Sequence, residues 1–162
     1  MRNPECTVRG MALDYGAWEQ SVPQDITNDP LWKLTAYRLS LFAADTGWQD
    51  VTTLVQDRRT IGVADQLYRA LGSIAANIAE GFSKGSHKDR VRFYEYALGS
   101  ARESRGWYYK SRHMLTQEVV EERYSVLNQI IRLLLSMIPE QRGYTVREEP
   151  TDYAVGKSAS DQ

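Results

Sequence analysis

The chain has 162 residues, 42% of them hydrophobic and 25% charged, with a formal net charge of −1. That is enough for one ordinary domain with a real core, and the near-neutral balance excludes a uniformly basic nucleic-acid binder. A single cysteine, Cys6, excludes an intrachain disulfide framework and a cysteine-built zinc site.

The average charge hides a pattern. Residues 1–57 carry four Lys/Arg against eight Asp/Glu, residues 58–113 carry eleven against five, and residues 114–162 carry five against eight. Positive charge is concentrated in the middle of the chain. No apolar run reaches signal-peptide or membrane-spanning length, so the expectation is a cytoplasmic protein without a membrane partner.

Residues 1–28 contain Pro4, Gly10, Gly16 and Pro23 with no sustained period, and read as a flexible tail in which Trp18 and Tyr15 could anchor to a partner subunit. Asp29-Pro30 is a helix start, an aspartate N-cap followed by proline at the first helical position. The helix is predicted to bury Leu31, Leu34, Tyr37, Leu41 and Ala44 and to end at Gly47. Residues 48–60 read as a connection with a short helical turn around 51–56. A second helix follows over about 61–83, where Ala64, Leu67, Leu71, Ile74, Ile78 and Phe82 form an apolar stripe at three- and four-residue steps.

Ser86 and Asp89 match a loosened capping box that opens a third helix, about 87–115. Its apolar and small-residue face is wide, which predicts contact with more than one neighbour. Gly99 and Gly106 each cost about 1 kcal/mol relative to alanine inside a helix, which predicts close helix–helix contact there. Thr116 caps a fourth helix with Val119, Val126, Leu127, Ile130, Ile131, Leu134, Met137 and Ile138 on its apolar face, ended by Pro139. Residues 140–162 read as a second flexible tail. The domain is therefore residues 29–139, an all-α, antiparallel, up-down-up-down four-helix bundle.

Ser73, Asn77 and Glu80 form a polar line beside the apolar stripe. A hydrogen-bonded structural network is predicted there, with Ser100 and Glu103 on the third helix as partners, since an unpaired buried polar group costs about 1–3 kcal/mol. The candidate phosphate-gripping residues are Arg69, Lys84, Lys88, Arg90, Arg92, Arg102, Arg105, Lys110 and Arg112, of which four cluster at the turn between the second and third helices. The competing reading is a solvated face whose charges pair locally, for example Arg102 or Arg105 with Glu103. Trp107, Tyr108 and Tyr109 point in three directions, so stacking on bases competes with burial. His87 and His113 lie at opposite ends of one helix and share no metal-ligand spacing. No phosphate-binding loop, dinucleotide fingerprint, nucleophile elbow or zinc-protease motif is present, so neither an enzyme nor a cofactor is expected.

The run Gln66–Phe82, QLYRALGSIAANIAEGF, followed by Arg92-Phe93-Tyr94 and by ALGSARE at 97–103, resembles one bacterial family. It is the four-helix-bundle family encoded in intervening sequences of large-subunit ribosomal RNA genes, to which the accessory variability determinants of diversity-generating retroelements look related. The resemblance covers about residues 31–138. It implies a bundle that assembles into a ring-shaped homopentamer and binds structured RNA or DNA, in some cases beside a reverse transcriptase. It implies no catalytic residue. Two readings follow: a ring that binds nucleic acid through a basic surface, and a scaffold that docks a partner protein without touching nucleic acid.

Overall fold

The computed structural model describes residues 14–143, which form six helices and no strand. Helix α1 is Tyr15–Ser21 and α2 is Gln24–Thr27; a 3-10 turn, Pro30–Lys33, leads into α3, Thr35–Leu54. Then come α4, Ile61–Phe82, α5, His87–Ser111, and α6, Gln117–Gly143. Each of α3 to α6 packs on its neighbours in sequence, and α3 also packs on α6, so the four long helices close into a bundle. Leu34, Phe82, Arg90, Tyr94 and Met137 share one cavity, which puts the start of α3, the end of α4, the start of α5 and the end of α6 at one end. The long helices therefore run alternately up and down.

The α4 stripe behaves as its period requires: Ala64, Leu67, Leu71, Ile74 and Ile78 are buried, opposite Leu127, Ile130, Leu134 and Ile138 of α6 and Ala97, Ala101 and Tyr108 of α5. Phe82 is the exception and is exposed at the helix end. Ser86 caps α5 as expected, its Oγ accepting from the Asp89 amide at 3.2 Å.

Four expectations are corrected. Residues 15–21 are not a tail: α1 is capped by Asp14, and Trp18 is buried on the chain's own α3, donating from Nε1 to Asp45 Oδ2 at 2.6 Å beside Phe42. Asp29 does accept from the Leu31 amide, but it opens only the 3-10 turn, and Leu34 breaks the backbone before α3. The buried face of α3 is accordingly re-phased to Ala36, Leu39, Ala43, Gly47 and Asp50, leaving Leu31, Leu34, Tyr37, Leu41 and Ala44 half-buried. Nor does Gly47 end that helix, which continues to Leu54 through most of the expected connection. Finally, α6 passes through Pro139 to Gly143, because its last turn is tied down by side chains: Gln141 Oε1 lies 2.9 Å from His87 Nδ1 and accepts from Arg90 at 3.0 Å, and Arg142 pairs with Glu95. The other residues of the two expected tails lie outside the described residues, except 22–28, which carry α2 and its flanks.

The glycines divide by what surrounds them. A Cβ at Gly47 would lie 2.3 Å from Leu71 Cδ1, and one at Gly81 would lie 2.8 and 2.9 Å from the Tyr94 ring and 3.1 Å from Phe93 Cβ, so these two permit close helix approach. At Gly99 and Gly106 a Cβ would meet nothing within 4 Å, so the expected close contact is not made among the described residues. Gly81→Ala is expected to destabilise the fold by about 1–3 kcal/mol through overpacking against a stiff ring. Gly99→Ala is expected to stabilise it by about 1 kcal/mol through helix propensity. Chemical unfolding of the two variants checks the opposite signs.

Candidate nucleic-acid interface

The turn between α4 and α5 and the first turns of α5 hold four of the sequence-predicted cations, but three of them are engaged. Lys84 pairs with Glu80 one helical turn back and sits 4.9 Å over the Phe93 ring. Arg92 lies 3.7 Å from Asp89 and 5.4 Å from the centroid of the same Phe93 ring. Arg90 donates to the Lys84 carbonyl at 2.8 Å and to Gln141 at 3.0 Å, so it splices the turn to the end of α6. Lys88 alone of the four is exposed with no ion pair among the described residues. Arg69, on α4, lies 3.7 Å from Asp65.

Farther along α5 the balance changes. Arg102, Arg105, Lys110 and Arg112 are exposed and have no carboxylate partner among the described residues; the local pairing of Arg102 or Arg105 with Glu103 is not made. Arg105 donates to Asn128 Oδ1 at 2.9 Å, Lys110 lies 4.0 Å over the Trp107 ring, and Arg112 lies 3.9 Å over the Tyr109 ring. At 100° per residue, Lys88, Arg102, Arg105 and Lys110 of α5 and Arg112 at its C-cap fall within about 160° of arc. Of the three adjacent aromatics, Tyr108 is buried, Trp107 is half-buried and Tyr109 is exposed.

The polar line is realised in part. Asn77 donates to the Ser73 carbonyl at 2.8 Å and to its hydroxyl at 3.0 Å, and the Ser100 hydroxyl bridges to Ser73 at 3.1 Å, joining α5 to α4. Glu80 and Glu103 are not members: the first turns to Lys84, and the second accepts from Trp107 Nε1 at 3.1 Å.

The strongest polar cluster in the fold lies elsewhere, and no local pattern announces it. Asp50 of α3 accepts at Oδ2 from Tyr108 of α5 at 2.7 Å and from Arg123 Nε of α6 at 2.8 Å, while Oδ1 takes a second Arg123 donor at 3.2 Å. The two charged side chains are only 5% and 9% exposed. Burial and the adjacent carboxylate hold the Tyr108 phenol well above its ordinary value near 10. Burial works to lower the Arg123 guanidinium, but its hydrogen bonds and proximity to Asp50 outweigh that, leaving it raised. Buried titratable clusters also mark active sites, yet here both Asp50 oxygens and the Tyr108 hydroxyl are occupied within the cluster, and Arg123 Nη1 lies 3.4 Å from Glu122 Oε2. No group of His, Cys, Asp or Glu is placed to hold a metal among the described residues, and no helix among them is long and apolar enough to cross a membrane.

The model of the 23S rRNA-intervening sequence protein family matches residues 33–136. The chain belongs to that family. The four long helices supply nearly the whole match, and α1 and α2 precede it. Among solved structures, the chain is similar to a protein of unknown function from the S23 ribosomal protein family of Bacteroides thetaiotaomicron. The identity is 26% and the TM-score 0.61, over 64% of this chain and 98% of that one. No curated protein matches.

Asp50→Asn is expected to cost about 3–5 kcal/mol, because Arg123 is left buried without its countercharge, whereas replacing both by leucine and methionine is expected to cost less. Urea unfolding of the single and double variants checks this. Because the phenol of Tyr108 is raised in the fold, its contribution is complete below pH 10 and is lost as pH rises above 10, where only the unfolded chain releases the proton. Tyr108→Phe is therefore expected to lose about 1 kcal/mol at neutral pH but to soften the alkaline decline.

Proposed function

We propose that this protein is a non-enzymatic, self-assembling helical bundle that binds structured RNA or DNA through the cationic face of α5. The observation that carries the reading is the set of five exposed cations on α5 and at its C-cap, Lys88, Arg102, Arg105, Lys110 and Arg112, without carboxylate partners among the described residues, where seven of the eleven other described cations are ion-paired. A side chain kept unneutralised on a rigid helix is available to displace the counterions of a phosphate backbone. Membership of a family named for ribosomal RNA intervening sequences agrees with an RNA-related role.

Self-assembly, as a ring-shaped homopentamer, is supported by a second surface. Trp48 is 61% exposed and meets Tyr68, itself 45% exposed, with ring centroids 5.7 Å apart. Val55 and Ile61, each two helical turns from one of these on the same helix face, are also exposed. A line of four large apolar groups across α3 and α4 suits contact with a second copy, and a ring would multiply weak phosphate contacts by avidity. The same assembly offers a docking platform for a protein partner, and a reverse transcriptase is the partner that the retroelement likeness suggests.

RNA affinity is expected to fall steeply with salt, and the triple variant Lys88→Glu, Lys110→Glu, Arg112→Glu to weaken it at least about tenfold while flattening the salt slope by about 2–3. Arg90 is kept intact, since it holds the turn to α6. Fluorescence anisotropy with an RNA hairpin across a salt series checks both; an unchanged affinity in a folded triple variant would contradict the proposal.

A further inference from the structure

The α5–α6 groove has a chemistry that a merely solvated basic face does not need. Arg102, Arg105 and Gly106 of α5, with Tyr124 and Asn128 of α6, line an open groove of about 440 Å³. Arg105 donates to Asn128 Oδ1 at 2.9 Å, which holds that guanidinium across the groove and leaves the Asn128 NH2 as the free end of the amide. Arg102 and the Tyr124 hydroxyl have no hydrogen-bond partner among the described residues. What the lining has left to offer is therefore donors: two guanidinium groups, an amide NH2 and a phenol.

No carboxylate lines the groove. The acids nearest in sequence are engaged by other side chains: Glu103 accepts from Trp107, and Glu121 accepts from Gln117. Arg132, one helical turn beyond Asn128 and exposed, adds another cation without a carboxylate partner among the described residues. At the floor, a Cβ on Gly106 would meet nothing within 4 Å, so the helix backbone is bare where a bound group would sit.

We infer that this groove is a seat for a backbone phosphodiester of the bound nucleic acid, with Arg102 and Arg105 gripping the non-bridging oxygens and Asn128 and Tyr124 donating beside them. Arginine forks and neutral donors are the groups that position phosphate backbones, and their geometry is more selective than charge alone. The seat rests on the nucleic-acid reading above but differs from it in one respect: it depends on the shape of the groove as well as on net charge.

Gly106→Leu separates the two, because it fills the groove without altering any charge. Arg102→Gln, at a side chain with no partner to lose, is the second variant. The probes are a fluorescein-labelled RNA hairpin and inorganic phosphate alone, with phenylglyoxal labelling of arginines read by mass spectrometry and circular dichroism as the folding control. RNA is expected to protect Arg102 and Arg105 from labelling, and both variants to weaken RNA binding about tenfold or more with melting unchanged or raised. Full RNA affinity in both folded variants would overturn the seat while leaving the general cationic reading standing. Protection by phosphate without RNA binding by the unmodified protein would overturn nucleic acid as the occupant, and the function proposed above with it.

Discussion

The interaction on which most of the architecture depends is the buried pair between Asp50 and Arg123, closed by the Tyr108 hydroxyl. It joins α3, α5 and α6 at the end of the bundle opposite the α4–α5 turn, with donor distances of 2.7 to 3.2 Å. Apolar burial supplies the bulk of stability but tolerates sliding of one helix along another. A bidentate ion pair buried on both sides does not, because any shift strands a charge in a low-dielectric interior. It therefore acts as a register pin. Arg123 precedes Tyr124, and Tyr108 lies three residues after Arg105, so the pin also fixes how the α5–α6 groove is assembled.

The pin also explains features that local rules would not allow. Asp50 reaches Arg123 only because α3 continues past Gly47, where the missing side chain leaves room for Leu71, whose Cδ1 would lie 2.3 Å from a Cβ. At the other end, Arg90 and Gln141 fasten the α4–α5 turn to the last turn of α6 beyond Pro139. The bundle is thus clamped by polar contacts at both ends and by apolar layers between them. Its surface is correspondingly divided, with local pairs neutralising α4 and the α4–α5 turn while most of α5 keeps its charge.

Much of the fold was legible in the sequence because it rests on local periodicity. The α4 stripe, the Ser86 cap, the apolar face of α6 and the four long helices are all set by spacings within a few residues. The Asp50–Arg123–Tyr108 cluster was not, because its members are 58 and 73 residues apart and each resembles an ordinary surface residue in its own helix. Trp18 was hidden for a similar reason: a seven-residue helix has too little pattern to register, and its order comes from docking on Asp45 and Phe42. For the candidate interface, composition located the basic segment but could not say which cations are already paired. That depends on side chains one turn away, and it shifts the weight from Lys84, Arg90 and Arg92 to Arg102, Arg105, Lys110 and Arg112.

The most direct test of the central claim is the mass of the purified protein by light scattering, recorded with its 260/280 nm absorbance ratio before and after nuclease and high salt. The bundle proposed here is expected to give an integral multiple of 18.5 kDa, five subunits for a pentamer, with absorbance that nuclease or salt removes. A monomer free of nucleic acid at low salt would contradict it, since neither the apolar line on α3 and α4 nor the cations of α5 would then have the partners assigned to them.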